Sequence, residues 1–256
     1  MTKLCADGAD LLDSPEMVLL DKDGTLIDIH HYWASMIRLR AQLIVEQWFR
    51  GRAESESIAR RLIEAMGVDS ETGRMKPEGP VGVKPRPFIV EVAVATVRQA
   101  GVDMDDVRME ALFAEIDRRT ARDLLPLLRL LPGAREFLKA LAAHGVSAAV
   151  VSTDITSRAT AAMQTLGIEH FFRAIIGGDA VAHTKPAADL AYAAFAVGGY
   201  APQRSVAIGD HPVDIQMGRN AGCAQNIGVL TGLAARSAFS GLDCLVVPDL
   251  THLSVR

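Results

Sequence analysis

The chain has 256 residues, of which 49% are hydrophobic and 23% charged, so we expect a globular protein with one sizeable domain or two smaller ones. A formal net charge of -4, without a long run of Lys and Arg or of apolar residues, argues against binding to nucleic acid and against any membrane segment or surface. Three cysteines without metal-type spacing, and an acidic amino terminus unlike a secretory signal, favour a reducing, cytoplasmic location.

The first clear element is a predicted strand over residues 17–21, in which an apolar run ends at Asp21 and a polar loop follows. The motif at this junction comprises Asp21, Lys22, Asp23, Gly24 and Thr25. Two carboxylates one residue apart repel each other unless a cation or a reaction uses them. One Asp can attack phosphorus while the other protonates the leaving oxygen, and Gly24 and Thr25 would bring backbone amides and a hydroxyl beside them. A simple Asp-Gly turn is the alternative, and this motif alone leaves both open.

The interval 29–125 differs from the rest of the chain because it has helical periodicity and no strand signal. We predict an inserted all-helical domain with helices over 32–50, 54–66, 88–100 and 104–124. The loop over 67–87 is rich in Gly and Pro and carries Arg74, Lys76, Lys84 and Arg86. These cations either meet an anionic group of a substrate or are simply solvated.

The second half alternates short apolar runs with amphipathic stretches. Strands are predicted over 146–152, 173–177, 205–209, 225–230 and 243–247, and helices over 134–144, 157–167, 187–197 and 212–221. This βαβ pattern predicts an α/β fold with a parallel sheet. The catalytic core would comprise residues 1–28 and 126–256, and the helical insert residues 29–125.

A second acidic pair follows the predicted strand over 205–209. Asp210 ends that strand, and Asp214 lies one helical turn later. Together with Asp21 and the backbone carbonyl of Asp23, Asp210 would form a credible oxygen ligand set for a magnesium ion. Alternatively, Asp210 caps the next helix and Asp214 is solvated.

Two further positions suggest a phosphate site. The hydroxyl of Ser152 and the backbone amide of Thr153 follow a predicted strand and could hold a phosphoryl oxygen, although a helix cap is the simpler interpretation of Ser152. Lys185 precedes a predicted helix and could offset the clustered acids or, alternatively, lie in solvent.

The order of these four elements resembles the haloacid dehalogenase-like hydrolase superfamily. The matching segments are DKDGT from Asp21, the strand ending in Ser152, KPAAD from Lys185 and GDHPVD from Gly209. The resemblance covers nearly the whole chain and is nearest to the phosphoglycolate phosphatase-like branch. It implies a Rossmann-like core with helices on both faces of the sheet, and a helical cap formed by the insert.

The resemblance also implies roles for single residues. Asp21 would attack phosphorus, and Asp23 would act as acid and then as base for the hydrolytic water. Asp210 would bind magnesium, with Asp214 as a ligand or as its support. Ser152 and Lys185 would hold the phosphoryl group. The expected activity is a magnesium-dependent phosphatase acting on a small phosphorylated metabolite, such as phosphoglycolate or a sugar phosphate, in a monomer or homodimer.

Two residues depart from the family pattern, and two other activities stay open. Lys22 stands where an apolar residue is more often expected, and it would pair with a neighbouring acid, face the cap or lie in solvent; His211 replaces a frequent Ser. Asp23 argues against dehalogenases and phosphonate hydrolases, which characteristically lack this second acid. A phosphomutase uses the same pair of acids, and a binding protein that has lost catalysis could retain the fold.

Overall fold

The computed structural model describes residues 2–81, 84, 86–120 and 125–256. Its strands are β1 (Lys3–Ala6), β2 (Ala9–Asp13), β3 (Met17–Leu20), β4 (Ser147–Val151), β5 (Phe172–Ile176), β6 (Ser205–Gly209), β7 (Gln225–Val229), β8 (Leu245–Val247) and β9 (Leu253–Val255). Its α-helices are α1 (Ile29–Trp48), α2 (Ser55–Ala65), α3 (Arg86–Gln99), α4 (Asp106–Thr120), α5 (Ala134–Ala143), α6 (Thr156–Thr165), α7 (Asp189–Ala196) and α8 (Pro212–Ala221). The chain divides into two compact units, Met1–Asp28 with Leu128–Arg256, and Ile29–Leu127.

A six-stranded parallel sheet forms the centre of the first unit. Its strand order is β5-β4-β3-β6-β7-β8. From β3 the chain builds outward through β4 and β5 on one side, and then through β6, β7 and β8 on the other. The order therefore reverses at β3, and open α/β sheets bind ligands beyond the carboxyl ends of the strands at such a point.

Alternating residues of β3 show why the sheet is covered on both faces. Met17 and Leu19 pack in one cluster with apolar residues of α7 and α8. Val18 and Leu20 point to the opposite face and are also fully buried. Helices α5 and α6 pack against β4 and β5 outside that cluster. The α/β fold with a parallel, Rossmann-like sheet is thus confirmed.

A small antiparallel sheet, ordered β2-β1-β9, was not expected from the sequence. In it, β1 pairs with β9, so the two ends of the chain lie side by side. Leu4 and Cys5 of β1 are buried, whereas most of β2 is exposed. The strands have three to five residues each, too few for a clear periodic signal.

The second unit consists of α1 to α4 and their connections. Consecutive helices pack against each other, and α4 also packs against α1. Arg40 of α1 is buried there, with its guanidinium 4.5 Å from the ring centre of Phe113. Helix α1 begins three residues earlier than predicted, and residues 121–124 of the fourth predicted helix lie outside the described residues.

One placement in the predicted loop over 67–87 was wrong. Arg86 begins α3, and its guanidinium contacts Glu110 and Asp117 of α4. It is therefore a packing element of the second unit rather than a solvated loop cation. Within the described parts of the chain, no helix is both long enough and apolar enough to cross a membrane.

Candidate active site

Three adjacent strands deliver polar residues to the same edge of the parallel sheet. Leu20 of β3 is aligned with Val150 of β4 and with Ile208 of β6. Asp21, Ser152 and Asp210 follow these positions by one or two residues, so all three lie at the carboxyl ends of adjacent strands, where the strand order reverses. The backbone amide of Asp21 donates to the carbonyl of Ile208 at 2.9 Å, which fixes the end of β3 against β6.

Lys185 is buried between two carboxylates. Its Nζ lies 2.5 Å from Oδ1 of Asp21 and 2.7 Å from Oδ1 of Asp214. Burial alone would lower the pKa of Lys185, but the charges of the two acids raise it above its ordinary value. The solvated alternative for Lys185 is therefore wrong, and the lysine carries a fixed positive charge at the site.

Asp214 is buried as well, which overturns the solvated alternative for it. Its Oδ1 is paired with Lys185, and its Oδ2 accepts a hydrogen bond of 3.0 Å from the backbone amide of His211. His211 is the N-cap of α8 and forms a reciprocal capping box with Asp214. The carboxylate thus has partners on both oxygens and orients the lysine that contacts Asp21.

Asp210 sits in a tight backbone cradle. Its Oδ2 accepts a hydrogen bond of 3.0 Å from the amide of Leu233, in the loop after β7. A Cβ on Gly24 would lie 2.5 Å from Cγ of Asp210, and one on Gly232 would overlap its carboxylate. Burial, followed by the charges of Asp21 and Asp214, raises the pKa of Asp210 well above its ordinary value.

The residues proposed to bind phosphate lie in the loops that follow β3 and β4. Gly24 adopts a φ of +93°, a conformation that favours glycine. Thr25 is fully buried, and its Oγ1 has no hydrogen-bond partner among the described residues. Ser152 is buried, and its Oγ accepts from the amide of Asp154; it does not cap α6, whose N-cap is Ile155. Thr153 is exposed.

Asp23 and Lys22 form a separate ion pair. Lys22 is 1% exposed, and its Nζ lies 2.5 Å from Oδ2 of Asp23 and 3.2 Å from Oδ2 of Asp154. The alternative that placed Lys22 in solvent is therefore wrong. Burial, with a contribution from Asp154, raises the pKa of Asp23 above its ordinary value despite the lysine.

The donor set fits a divalent cation. Among the described residues, carboxyl groups outnumber the cationic side chains at this site; they are Asp21, Asp23, Asp154, Asp210 and Asp214, with Lys22, Arg158 and Lys185. Burial first, and then the charge of Asp214, raises the pKa of Asp21 as it does that of Asp210. A magnesium ion would offset this excess and favour the ionised carboxylates. In the described part of the chain, no three His, Cys, Asp or Glu side chains form a metal site by themselves.

A match to a protein-family model shows which family the chain belongs to. The model of the haloacid dehalogenase-like hydrolases matches residues 15–222, a span that contains all the polar residues above up to Asp214. The chain belongs to the haloacid dehalogenase-like hydrolase family. The family resemblance predicted from the four motifs is thus confirmed.

Several relatives of this haloacid dehalogenase-like hydrolase carry the name phosphoglycolate phosphatase. Phosphoglycolate phosphatase of Pseudomonas putida is 29% identical over 93% of this chain and 78% of its own length. The Pasteurella multocida phosphoglycolate phosphatase is 31% identical over 49% of this chain and 56% of its own length. This chain thus spans little more than half the length of some curated relatives that it matches.

Solved structures share the fold of this haloacid dehalogenase-like hydrolase. A predicted phosphoglycolate phosphatase from Haemophilus somnus superposes with a TM-score of 0.68 at 21% identity, covering 93% of this chain and 96% of its own. CbbY from Rhodobacter sphaeroides, solved with phosphate, gives a TM-score of 0.61 at 18% identity, covering 92% and 95% of the two chains. At these identities the likeness establishes the fold.

Sequence reasoning missed three contributors to the site of this haloacid dehalogenase-like hydrolase. Gly232 and Leu233 hold Asp210, and their only signal in the sequence was the end of the predicted strand over 225–230. Asp154 pairs with Lys22, although the two residues are distant in sequence. Pairing of Lys22 with an acid was one prediction from the sequence, but nothing local indicated Asp154, which follows a different strand.

Proposed function

We propose that this protein is a magnesium-dependent phosphatase that hydrolyses a small phosphate monoester through a phosphorylated aspartate. The observation that carries the proposal is the position of Asp21. It lies at the strand-order reversal, 2.5 Å from the ammonium of Lys185 and beside the buried Asp210 of the adjacent strand. Buried like charges are costly, so such a cluster at the ligand-binding edge of a sheet favours a reaction with a cation and an anionic substrate.

In the first half-reaction, a carboxylate oxygen of Asp21 forms a bond to phosphorus while the bond from phosphorus to the ester oxygen breaks. Asp23 gives its proton to that departing oxygen, so the product leaves as a neutral alcohol. Lys185, with Ser152 and the backbone around Gly24 and Thr25, holds the phosphoryl oxygens. Positioning and fixed charges supply most of the rate in phosphoryl transfer.

In the second half-reaction, water attacks the phosphorus of the aspartyl phosphate. Asp23, now ionised, takes a proton from the water, and the bond between phosphorus and Asp21 breaks. Inorganic phosphate leaves, and both acids return to their starting protonation states. One carboxyl group can serve both steps because the acid of the first is the base of the second.

Magnesium would be held by Asp21, Asp210 and the backbone carbonyl of Asp23. When bound, it supplies positive charge that balances the carboxylates and the phosphoryl oxygens. Asp214 already has partners on both oxygens, so we assign it to the support of Lys185 rather than to direct coordination. The amide of Leu233 holds Oδ2 of Asp210 in place.

We infer the substrate class from the relatives and from the insert. Proteins named as phosphoglycolate phosphatases match this chain, one of them over 93% of its length. The helical unit Ile29–Leu127 enters the chain directly after the motif of Asp21 and Asp23. We assign it the role of a cap that selects a small phosphorylated metabolite, of the phosphoglycolate or sugar-phosphate type.

A panel of phosphate monoesters, assayed for phosphate release with and without magnesium, tests the proposal. We expect release from at least one small monoester, dependent on magnesium and abolished by chelation. Release that is independent of any divalent cation would contradict the metal site. Interconversion of sugar phosphates without release would show a mutase instead.

A further inference from the structure

Lys22 is a buried cation within the catalytic motif to which the reaction above gives no role. Its side chain is 1% exposed and contacts carboxylates from two strand ends: Oδ2 of Asp23 at 2.5 Å and Oδ2 of Asp154 at 3.2 Å. Removing a long ammonium from water is costly unless its partners are well placed. The burial of the Lys22 ammonium is therefore not explained by the packing of β3 alone.

The second partner is itself held in place. Oδ1 of Asp154 accepts hydrogen bonds of 2.8 Å from Nη1 of Arg158 and 2.8 Å from the amide of Ile155. Asp154 therefore keeps a defined orientation at the end of β4, and its Oδ2 interacts with Lys22 through charge rather than through a hydrogen bond. This arrangement ties the loop after β3 to the start of α6.

The ion pair between Lys22 and Asp23 involves only one of the two carboxylate oxygens of Asp23. Oδ2 is held by Lys22, whereas Oδ1 is buried and has no hydrogen-bond partner among the described residues. The ion pair thus limits rotation of the carboxyl group and leaves one oxygen available for proton transfer. Asp21 does not share this partner, since its contact is with Lys185.

We propose that Lys22, anchored by Asp154, is a positioning residue that holds Asp23 in the orientation from which it exchanges protons with the leaving oxygen and with water. The inference rests on the proposed phosphatase function. It assigns a task to a residue at which this chain departs from the pattern expected between the two acids. A defect at Lys22 should fall on proton transfer and leave the attack by Asp21 largely intact.

The test compares two leaving groups. p-Nitrophenolate departs with little help from an acid, whereas the alkoxide of phosphoglycolate needs a proton. We expect Lys22→Met to lower kcat/KM for phosphoglycolate by about a hundredfold, and for p-nitrophenyl phosphate by less than about tenfold, because general acid catalysis contributes about 10²–10⁴-fold. If phosphoglycolate is not a substrate, the best alkyl phosphate from the panel replaces it.

Three further variants separate positioning from a structural role. Lys22→Arg keeps the charge and should restore most of the loss with the alkyl ester. Asp154→Asn keeps both Lys22 and Asp23. It should lower kcat/KM more for the alkyl ester than for p-nitrophenyl phosphate, but by less than Lys22→Met does. This variant therefore tests the positioning role of Lys22 if Lys22→Met does not fold. Lys3→Met removes a surface ion pair in the other sheet and should change neither rate.

The outcomes distinguish the inference from the function on which it rests. Equal losses for both esters in folded Lys22 or Asp154 variants, or no loss in either, would overturn the positioning role while leaving the phosphatase intact. A wild-type protein that hydrolyses neither ester nor any other monoester would overturn the proposed function itself.

Discussion

Asp21 and Asp23 are one residue apart, yet each has its own lysine. Lys185 pairs with Asp21 and Asp214, while Lys22 pairs with Asp23 and with Asp154. Burial raises the pKa of both carboxyl groups, so what distinguishes the two acids is the cation that each one contacts, and these separate contacts suit them to different tasks in the proposed reaction.

Replacing the nucleophile tests the first of these tasks. We predict that Asp21→Asn lowers kcat for phosphate release by at least about a thousandfold, because an amide does not form the phosphorylated intermediate. Steady-state assays with circular dichroism would check both turnover and folding. Asp13→Asn, an exposed change of the same type on β2, should retain wild-type activity. A folded Asp21→Asn protein with normal turnover would refute the assignment.

Gly24 offers a test of the cradle around Asp210. We predict that Gly24→Ala destabilises the protein by about 1–3 kcal/mol more than Gly8→Ala, because a new Cβ would overlap the Asp210 carboxylate. Gly8 also has a positive φ but has no atom within 4 Å of an added Cβ, so it reports backbone strain alone. Urea unfolding gives both free energies. Equal decreases in the free energy of unfolding for the two variants would show that the backbone around Asp210 accommodates the methyl group.

The strand-end acids and the compensating charge of Lys185 were predictable from the sequence, whereas the pairing of Lys22 with Asp154 was not. Asp21 and Asp210 each end an apolar run, and parallel strands place such ends at one edge of a sheet. The pairing of Lys22 with Asp154 joins residues on different strands and depends on side-chain packing. The alternatives of solvated Lys22, Lys185 and Asp214 were wrong because burial and charge pairing overrode local preference.

At the scale of elements, the parallel strands were easier to predict than the small sheet. Strands buried on both faces appear as continuous apolar runs, as β3 and β6 do. Strands β1 and β9 are short and lie at opposite ends of the sequence, so nothing local indicates that they pair. Their pairing brings the two termini of the chain together.

The small sheet should contribute stability without affecting chemistry. We predict that Leu4→Ala lowers the free energy of unfolding by about 2–5 kcal/mol, since Leu4 is fully buried in β1. Activity below the melting transition should be unchanged. Val107→Ala on α4, where the side chain is 79% exposed, should cost less than about 0.5 kcal/mol. A small effect of Leu4→Ala in urea unfolding would contradict a structural role for this sheet.

At the scale of the whole molecule, the buried acids link metal binding to stability. The pKa of Asp210 is raised by burial and by neighbouring acids above its ordinary value of 3.8. The folded protein then binds more protons than the unfolded chain above that pH. Without metal, the contribution of Asp210 to stability therefore falls as pH rises from the ordinary pKa through the folded one.

Magnesium should reverse this trend, because it binds the ionised carboxylates. We predict that the rise in Tm on adding magnesium is larger near pH 8 than near pH 5, and that a magnesium concentration about 100-fold above Kd adds about 2.7 kcal/mol. Thermal unfolding across pH, with and without the ion, measures the difference. The substitution Asp210→Asn should remove most of the rise in Tm on adding magnesium. A magnesium-dependent rise in Tm that is independent of pH, or that Asp210→Asn leaves unchanged, would show that the ion does not bind at Asp210.

The fate of the phosphoryl group tests the central claim most directly. Asp23→Asn should still be phosphorylated by p-nitrophenyl phosphate, whose leaving group needs little protonation, but should hydrolyse the intermediate slowly. Rapid acid quenching followed by peptide mass spectrometry should then find one phosphoryl group on Asp21. Trapping on another residue, or an unmodified Asp21 peptide in a protein that completes its release of nitrophenolate, would contradict the account.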